Sequence, residues 1–216
     1  MEDKMRFLTG MILFGSLWGF SETIIGSRLS DAGLPSGIIM TGFFAIMLLV
    51  LSRIIYKAPG MQFGMGLIAG TLRVFNPCVG CHLCSALAIM AEGVLFELIW
   101  YRLSFDDALL KKTINQVSMG VITSYIIFVG GYIVTQILTP MISGPGFYLE
   151  NLIVFLPRIL SSGLPTAIIG GLVLPATYKL SKLNIEVKDR LYYPAALSIS
   201  MICWVLVIVN WLILVS

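Results

Sequence analysis

Polar and apolar positions along this chain fall into blocks. Long apolar runs recur, each closed by a short stretch rich in charge, glycine or proline. A helix needs about 20 apolar residues to cross ~30 Å of hydrocarbon, and the runs have that length. The pattern predicts spans over about residues 7–25, 37–55, 61–75, 85–101, 117–138, 164–178 and 194–214. The breaks between them carry turn chemistry: the connector from Ser27 to Ser36, Pro59-Gly60, and the charged loops Arg102 to Lys112 and Lys179 to Arg190. One region resists the scheme. From Phe147 to Leu180 the chain is almost continuously apolar, too long for one span, and cut by Pro157, Pro165 and Pro175. Proline ends or kinks a helix, so a surface-lying helix over about residues 147–161 is expected before the sixth span, either resting on lipid or lying as a lid over an outward cavity. In the third span, Gly66-Leu-Ile-Ala-Gly70 is a small-xxx-small pattern that lets helix backbones approach closely.

Composition narrows the class further. Hydrophobic residues make up 58% of the 216 positions and charged ones 12%, about half the charge of a soluble domain. The expected fold is therefore all-α: one polytopic transmembrane bundle of seven spans over residues 1–216, embedded in the lipid bilayer. No polar stretch is long enough to fold as a separate soluble module. Met1 to Arg6 has the charge of a signal-peptide start, but the following apolar run is too long and lacks a small-x-small cleavage site, so it is read as a retained span. The net charge of +3 sits in loops and implies no nucleic-acid surface.

Eleven of the fourteen basic residues (Lys4, Arg6, Arg53, Lys57, Arg102, Lys111, Lys112, Lys179, Lys182, Lys188 and Arg190) fall on one side of the seven-span scheme. Only Arg28, Arg73 and Arg158 fall on the other. Basic loops stay in the cytoplasm. The N-terminus is thus expected inside and the C-terminus outside a cell membrane, with the turn after the third span facing out.

That turn concentrates the chemistry. Asn76-Pro-Cys-Val-Gly-Cys-His-Leu-Cys84 holds three of the four cysteines and the sole histidine. Cys78-x-x-Cys81-His82 matches the pattern of covalent haem c attachment, in which two thiols add to the haem and His82 is an axial iron ligand. Cys78, Cys81 and Cys84 also match the start of an iron–sulfur run, but Ala88 stands where the fourth ligand is expected. Cys84 and His82 complete a donor set for another metal such as zinc. A disulfide from Cys78 to Cys81 or Cys84 is the plainer alternative in an oxidising compartment. Cys203 lies mid-span and is read as packing.

Charges at membrane depth point to a partner or a cavity. Glu22 near the outer end of span one and Arg73 near the outer end of span three lie at similar depth, which suggests a pair. On the fourth span Cys81, Ser85, Ala88 and Glu92 share one helical stripe, and Glu97 points elsewhere. Glu22, Arg73 and Glu92 are the candidate lining of a ligand cavity, with a structural ion pair and a packed Glu92 as the plainer reading.

The glycine-rich Gly64-Met-Gly-Leu-Ile-Ala-Gly70, the proline-containing outer turn, Ala91-Glu-Gly-Val-Leu-Phe-Glu97 and the late Leu164-Pro-Thr-Ala-Ile-Ile-Gly-Gly171 run together resemble the substrate-binding (S) components of energy-coupling factor vitamin transporters. The resemblance covers residues 1–183; the helix over 191–216 and the cysteine–histidine turn depart from it. It implies a six-span core, an outward cavity near Glu22, Arg73, His82 and Glu92, and Gly15 and Gly19 facing a coupling subunit. Energy would come from a partner ATPase module, since no G-x-x-x-x-G-K-[ST] motif is present. The alternative is an electron-transfer or anchor subunit of a redox complex carrying haem c on Cys78, Cys81 and His82; a purely structural subunit, its cysteines stapling a loop, is the third reading. No nucleophile–base constellation supports an enzyme acting alone.

Overall fold

A computed structural model describes residues 2–76, 82–102, 109–143, 149–181 and 189–215, and these are helical almost throughout. Seven helices are seen among the described residues. They are α1 (Asp3–Asp31), α2 (Ser36–Tyr56), α3 (Met61–Arg73), α4 (His82–Glu97), α5 (Thr113–Ser143), α6 (Leu149–Ser181) and α7 (Asp189–Val215). All but α3 contain a stretch long and apolar enough to cross a membrane, and the chain is a multi-pass helical membrane protein.

Neighbouring helices fix the direction of each. Gly15 and Gly19 of α1 lie against Met65–Ile68 and Ala69–Leu72 of α3, so these two run parallel. Gly66 and Gly70 of α3 meet Gly93 and Ala86 of α4 in the opposite order. In the same way α5 runs against α4, with Gly131 beside Ala88 and Trp100 beside Thr123. Gly120 at Gly170 and Gly163 at Tyr125 set α6 against α5. Finally α7 lies along α1, with Arg6 over the Tyr192 ring and Trp204 Nε1 donating to Ser16 Oγ at 3.1 Å. Direction therefore alternates at every connection, and the two ends of the chain lie at opposite ends of the bundle.

The 13-residue α3 is only about 20 Å long at 1.5 Å per residue. Its start is held by a side chain from another helix. Gly60, in the left-handed region at φ 86°, turns the chain so that the amides of Gly60 and Phe63 donate to the two carboxylate oxygens of Glu97. A carboxylate at a helix N-terminus satisfies orphan amides and complements the helix dipole, which accounts for Glu97 pointing away from Glu92. Glu97→Ala is expected to destabilise the fold by about 1–2 kcal/mol, the scale of a lost N-cap, and Glu97→Gln by less. Thermal unfolding in nanodiscs checks this; an unchanged midpoint in Glu97→Ala would remove the cap from the account.

Two expectations are corrected here. The proline-rich region is not a surface helix followed by a separate span. It is one 33-residue helix, α6, with Pro157, Pro165 and Pro175 inside it. At about 50 Å it exceeds the hydrocarbon thickness. Prolines are tolerated in membrane helices because neighbouring groups re-satisfy the freed backbone. Residues 149–161 thus continue the same rod beyond the bundle core, with Ile153 and Val154 largely exposed. Likewise Gly15 and Gly19 do not face outward for a partner: both are buried against α3.

The core is built from α1 to α6, where Trp18, Leu49, Met61, Met65, Leu72, Phe96, Ile127 and Leu174 are fully buried. Phe96 and Trp100 stack at 5.1 Å. By contrast the outer faces of α6 and α7 carry exposed Ile168, Leu172, Met201, Ile202 and Ile213, an apolar surface suited to lipid. Basic residues gather at the end where α1 begins. There Arg53 lies 4.0 Å from the Tyr101 ring centroid, and Tyr101 Oη donates to the Ala58 carbonyl at 2.7 Å.

Candidate functional site

At the other end of the bundle, two helices lose their regular winding, and a third does so at the basic end. α1 widens into a π turn over Ser21–Ile25, α2 over Met40–Ala45, and α4 continues as a π turn over Leu98–Arg102 at its far end. Such turns widen the helix and shift the carbonyl pattern. In α1 this leaves main-chain oxygens for side chains to use. Arg73 Nη1 donates to the Glu22 carbonyl at 2.8 Å, and Asn76 Nδ2 donates to the Thr23 carbonyl at 3.2 Å and Ser27 Oγ at 2.6 Å. Arg73 Nε also donates to Ser85 Oγ on α4 at 3.0 Å. The end of α3 is thereby tied to α1 and α4, and Arg73 is buried in doing so.

These tethers wall a cavity of about 310 Å³ among α1, α2, α4 and α5. Glu22, Arg73 and Glu92 all line it, together with Ser85, Thr41 and Tyr132. The three charged residues singled out in the sequence come from separate helices and share one space. Ser85, Ala88 and Glu92 line it along the stripe expected for α4. Arg73 meets Glu22 through its main-chain carbonyl, while the Glu22 carboxylate accepts from Trp18 Nε1 at 3.3 Å.

Glu92 is the deepest charge. It sits ten positions after His82, about 15 Å along the helix, and only 7% of its surface is exposed. Its Oε1 accepts from Thr41 Oγ1 at 3.0 Å. Among the described residues its Oε2, which is buried, has no hydrogen-bond partner. Gly131 on α5 makes room for this carboxylate: a Cβ there would stand 3.2 Å from Oε1. Leaving a buried acceptor unmatched costs about 1–3 kcal/mol, more when it is charged. A second cavity of about 430 Å³ adjoins the first, sharing Ser36, Gly37 and Tyr132 and adding Gln136, Phe155, Arg158 and Ser162. The expected lid region thus contributes to a wall, as part of α6.

Against known protein families, curated proteins and solved structures, the chain finds no match. What it does rests on its own geometry.

Cys78 and Cys81 lie outside the described residues, and His82 is described only as the first residue of α4. Cys84 is fully buried and disulfide-bonded. Cys203 is buried and free, within the α7 face toward the bundle. Among the described residues no cluster of three or more His, Cys, Asp or Glu side chains is set for a metal ion. Residues that the sequence reading passed over are Thr41, Gly131 and Tyr132, which complete the surroundings of Glu92, and Asn76, which ties the turn to α1. The adjacent Gly130-Gly131-Tyr132 inside an apolar span was the available signal.

Proposed function

We propose that this chain is the ligand-binding membrane subunit of a multi-subunit transporter, taking a small molecule from outside the cell membrane and relying on partner subunits for energy. The observation that carries the reading is the cavity at one bundle end, lined by Glu22, Arg73 and Glu92 from three helices, with Glu92 Oε2 unpartnered. A packed structural charge would have its acceptors matched; Glu92 has one oxygen unmatched among the described residues and stands in a cavity wall. Most of the described basic residues sit at the opposite end, and by the positive-inside rule the cavity end is extracytoplasmic, with seven passes and the N-terminus inside. The likeness to S components is consistent with this layout, and the chain has no nucleotide-binding motif of its own.

The test is purification of the tagged full-length chain from its native membrane in mild detergent. An ATPase-bearing complex is expected to co-purify, with a colourless chain of unmodified mass. Cytochrome or other redox partners, or a Soret band with a covalent mass increase at Cys78 and Cys81, would overturn the transport reading in favour of an electron-transfer subunit.

A further inference from the structure

The cavity also says what kind of molecule fits it. We infer that it binds a small organic cation, a protonated amine with an apolar body, whose ammonium group donates to the Glu92 carboxylate. The inference rests on the binding-site reading above and names the class of its ligand.

Three features of the walls select this class. The first is the donor–acceptor balance at depth. Glu92 is 93% buried by its 7% exposure, it lines the cavity, and among the described residues its Oε2 has no partner. An ionised carboxylate offers acceptors only, so the ligand group beside it has to be a donor, and a positively charged donor gains most. The second is the charge within the lining. Two carboxyl groups, Glu22 and Glu92, stand with one guanidinium in the lining, so acidic groups outnumber the basic one. Arg73 is moreover engaged with the Glu22 carbonyl and Ser85, so it is poorly placed to anchor an anion. The third is the remaining surface. Met40, Ala88, Ile89 and the ring of Tyr132 supply apolar wall, and an aromatic ring favours a nearby cation over an anion. At about 310 Å³ the space is at the lower end of small-molecule sites.

An anion would place like charges together against Glu92 in a buried space. A neutral donor would match the hydrogen bond but give the Glu92 carboxylate no counter-charge. Charge-assisted hydrogen bonds add about 1.5–3 kcal/mol where neutral ones add about 1. The preference for cation over neutral isostere is thus roughly 2- to 30-fold at that difference.

The test uses three probes of one shape: benzylammonium, benzyl alcohol and benzoate, each titrated at millimolar concentration against the full-length chain in nanodiscs. Binding is read by thermal midpoint and by tryptophan fluorescence, since Trp18 donates to Glu22 at the cavity wall. Benzylammonium is expected to raise the midpoint and to bind several-fold more tightly than benzyl alcohol, with benzoate inactive. Glu92→Gln is expected to abolish the preference for the cation while the protein still elutes as a folded species. If Glu92→Gln fails to fold, Gly131→Ala, which crowds the carboxylate, is expected to weaken benzylammonium selectively. Equal or tighter binding of benzyl alcohol or benzoate would overturn the cation class and leave the binding site standing. Silence with all three probes would overturn the cavity reading together with it.

Discussion

Gly93→Ala is expected to produce the largest loss of stability of any single methyl addition at the α3–α4 crossing. A Cβ at Gly93 would lie 2.6 Å from the Gln62 carbonyl oxygen and 3.1 Å from the Gly66 Cα. Both neighbours are main chain, so no side-chain rotamer can move aside. Overpacking a tight core typically costs 1–3 kcal/mol and more where backbone must shift; about 3 kcal/mol or more is expected here. The damage would extend to the site, because the same α3–α4 crossing places Arg73 beside Ser85. Thermal unfolding in nanodiscs should show a midpoint many degrees lower. Ile168→Ala is the matched control: its side chain is 64% exposed on the outer face of α6, and changes of that kind stay within about ±0.5 kcal/mol. A Gly93→Ala protein as stable as its Ile168→Ala counterpart would contradict the close crossing.

Arg73→Met is expected to be nearly as damaging, for an electrostatic reason. Arg73 is 9% exposed and supplies the positive charge in the lining of a cavity that also holds Glu22 and Glu92. Removing one member of a buried charge set costs about 3–5 kcal/mol, because the opposite charges are left uncompensated. Two hydrogen bonds across helices, to the Glu22 carbonyl and to Ser85 Oγ, are lost as well. Arg73→Lys keeps the charge but not the planar fork that reaches two helices at once, and an intermediate loss is expected. The distinguishing measurement is rescue. Adding Glu22→Gln to Arg73→Met should recover part of the lost midpoint, since it removes the stranded carboxylate. No recovery would mean that the charge balance is unimportant and that only the hydrogen bonds matter.

Much of the fold could be read from the sequence because lipid imposes a simple rule on it. Apolar blocks of sufficient length announce helices, and the second span was expected within a residue of its observed ends. The third was expected to run to Phe75, and the helix stops at Arg73, where Arg73 and Asn76 turn to α1. The failure on α6 has a clear origin. Proline penalties derive from helices in water, whereas in a bundle within lipid no other backbone state is affordable for an apolar stretch. Three prolines therefore bend the rule without ending the helix.

Legibility of the candidate site was uneven. Glu22, Arg73 and Glu92 stood out because a charge in an apolar block is conspicuous, and all three line one cavity. Thr41 and Gly131 did not stand out, since a threonine and a glycine are ordinary in membrane helices. Their roles arise only once α2 and α5 are brought against α4. Gly15 and Gly19 were assigned by resemblance to an exposed face; the structure buries them against α3, where closeness of backbones, not a partner, requires small residues.

The π turn in α1 carries one further consequence, best put in terms of phase. In an unbroken α-helix, Gly15, Gly19, Glu22, Gly26 and Ser30 follow the i, i+4, i+7, i+11, i+15 spacing of a single stripe. All five would then press against α3. The wider turn over Ser21–Ile25 delays the winding after Gly19, so the stripe divides. Its first part, Gly15 and Gly19, packs on α3, while Glu22, Gly26 and Ser30 line the cavity, with Gly26 close to Met40 of α2. One residue accommodated at that turn, worth about 100° of rotation, separates a helix that fills space from one that encloses it. The same residues wound as a regular α-helix through that turn would present Gly26 and Ser30 to α3 and not to the cavity.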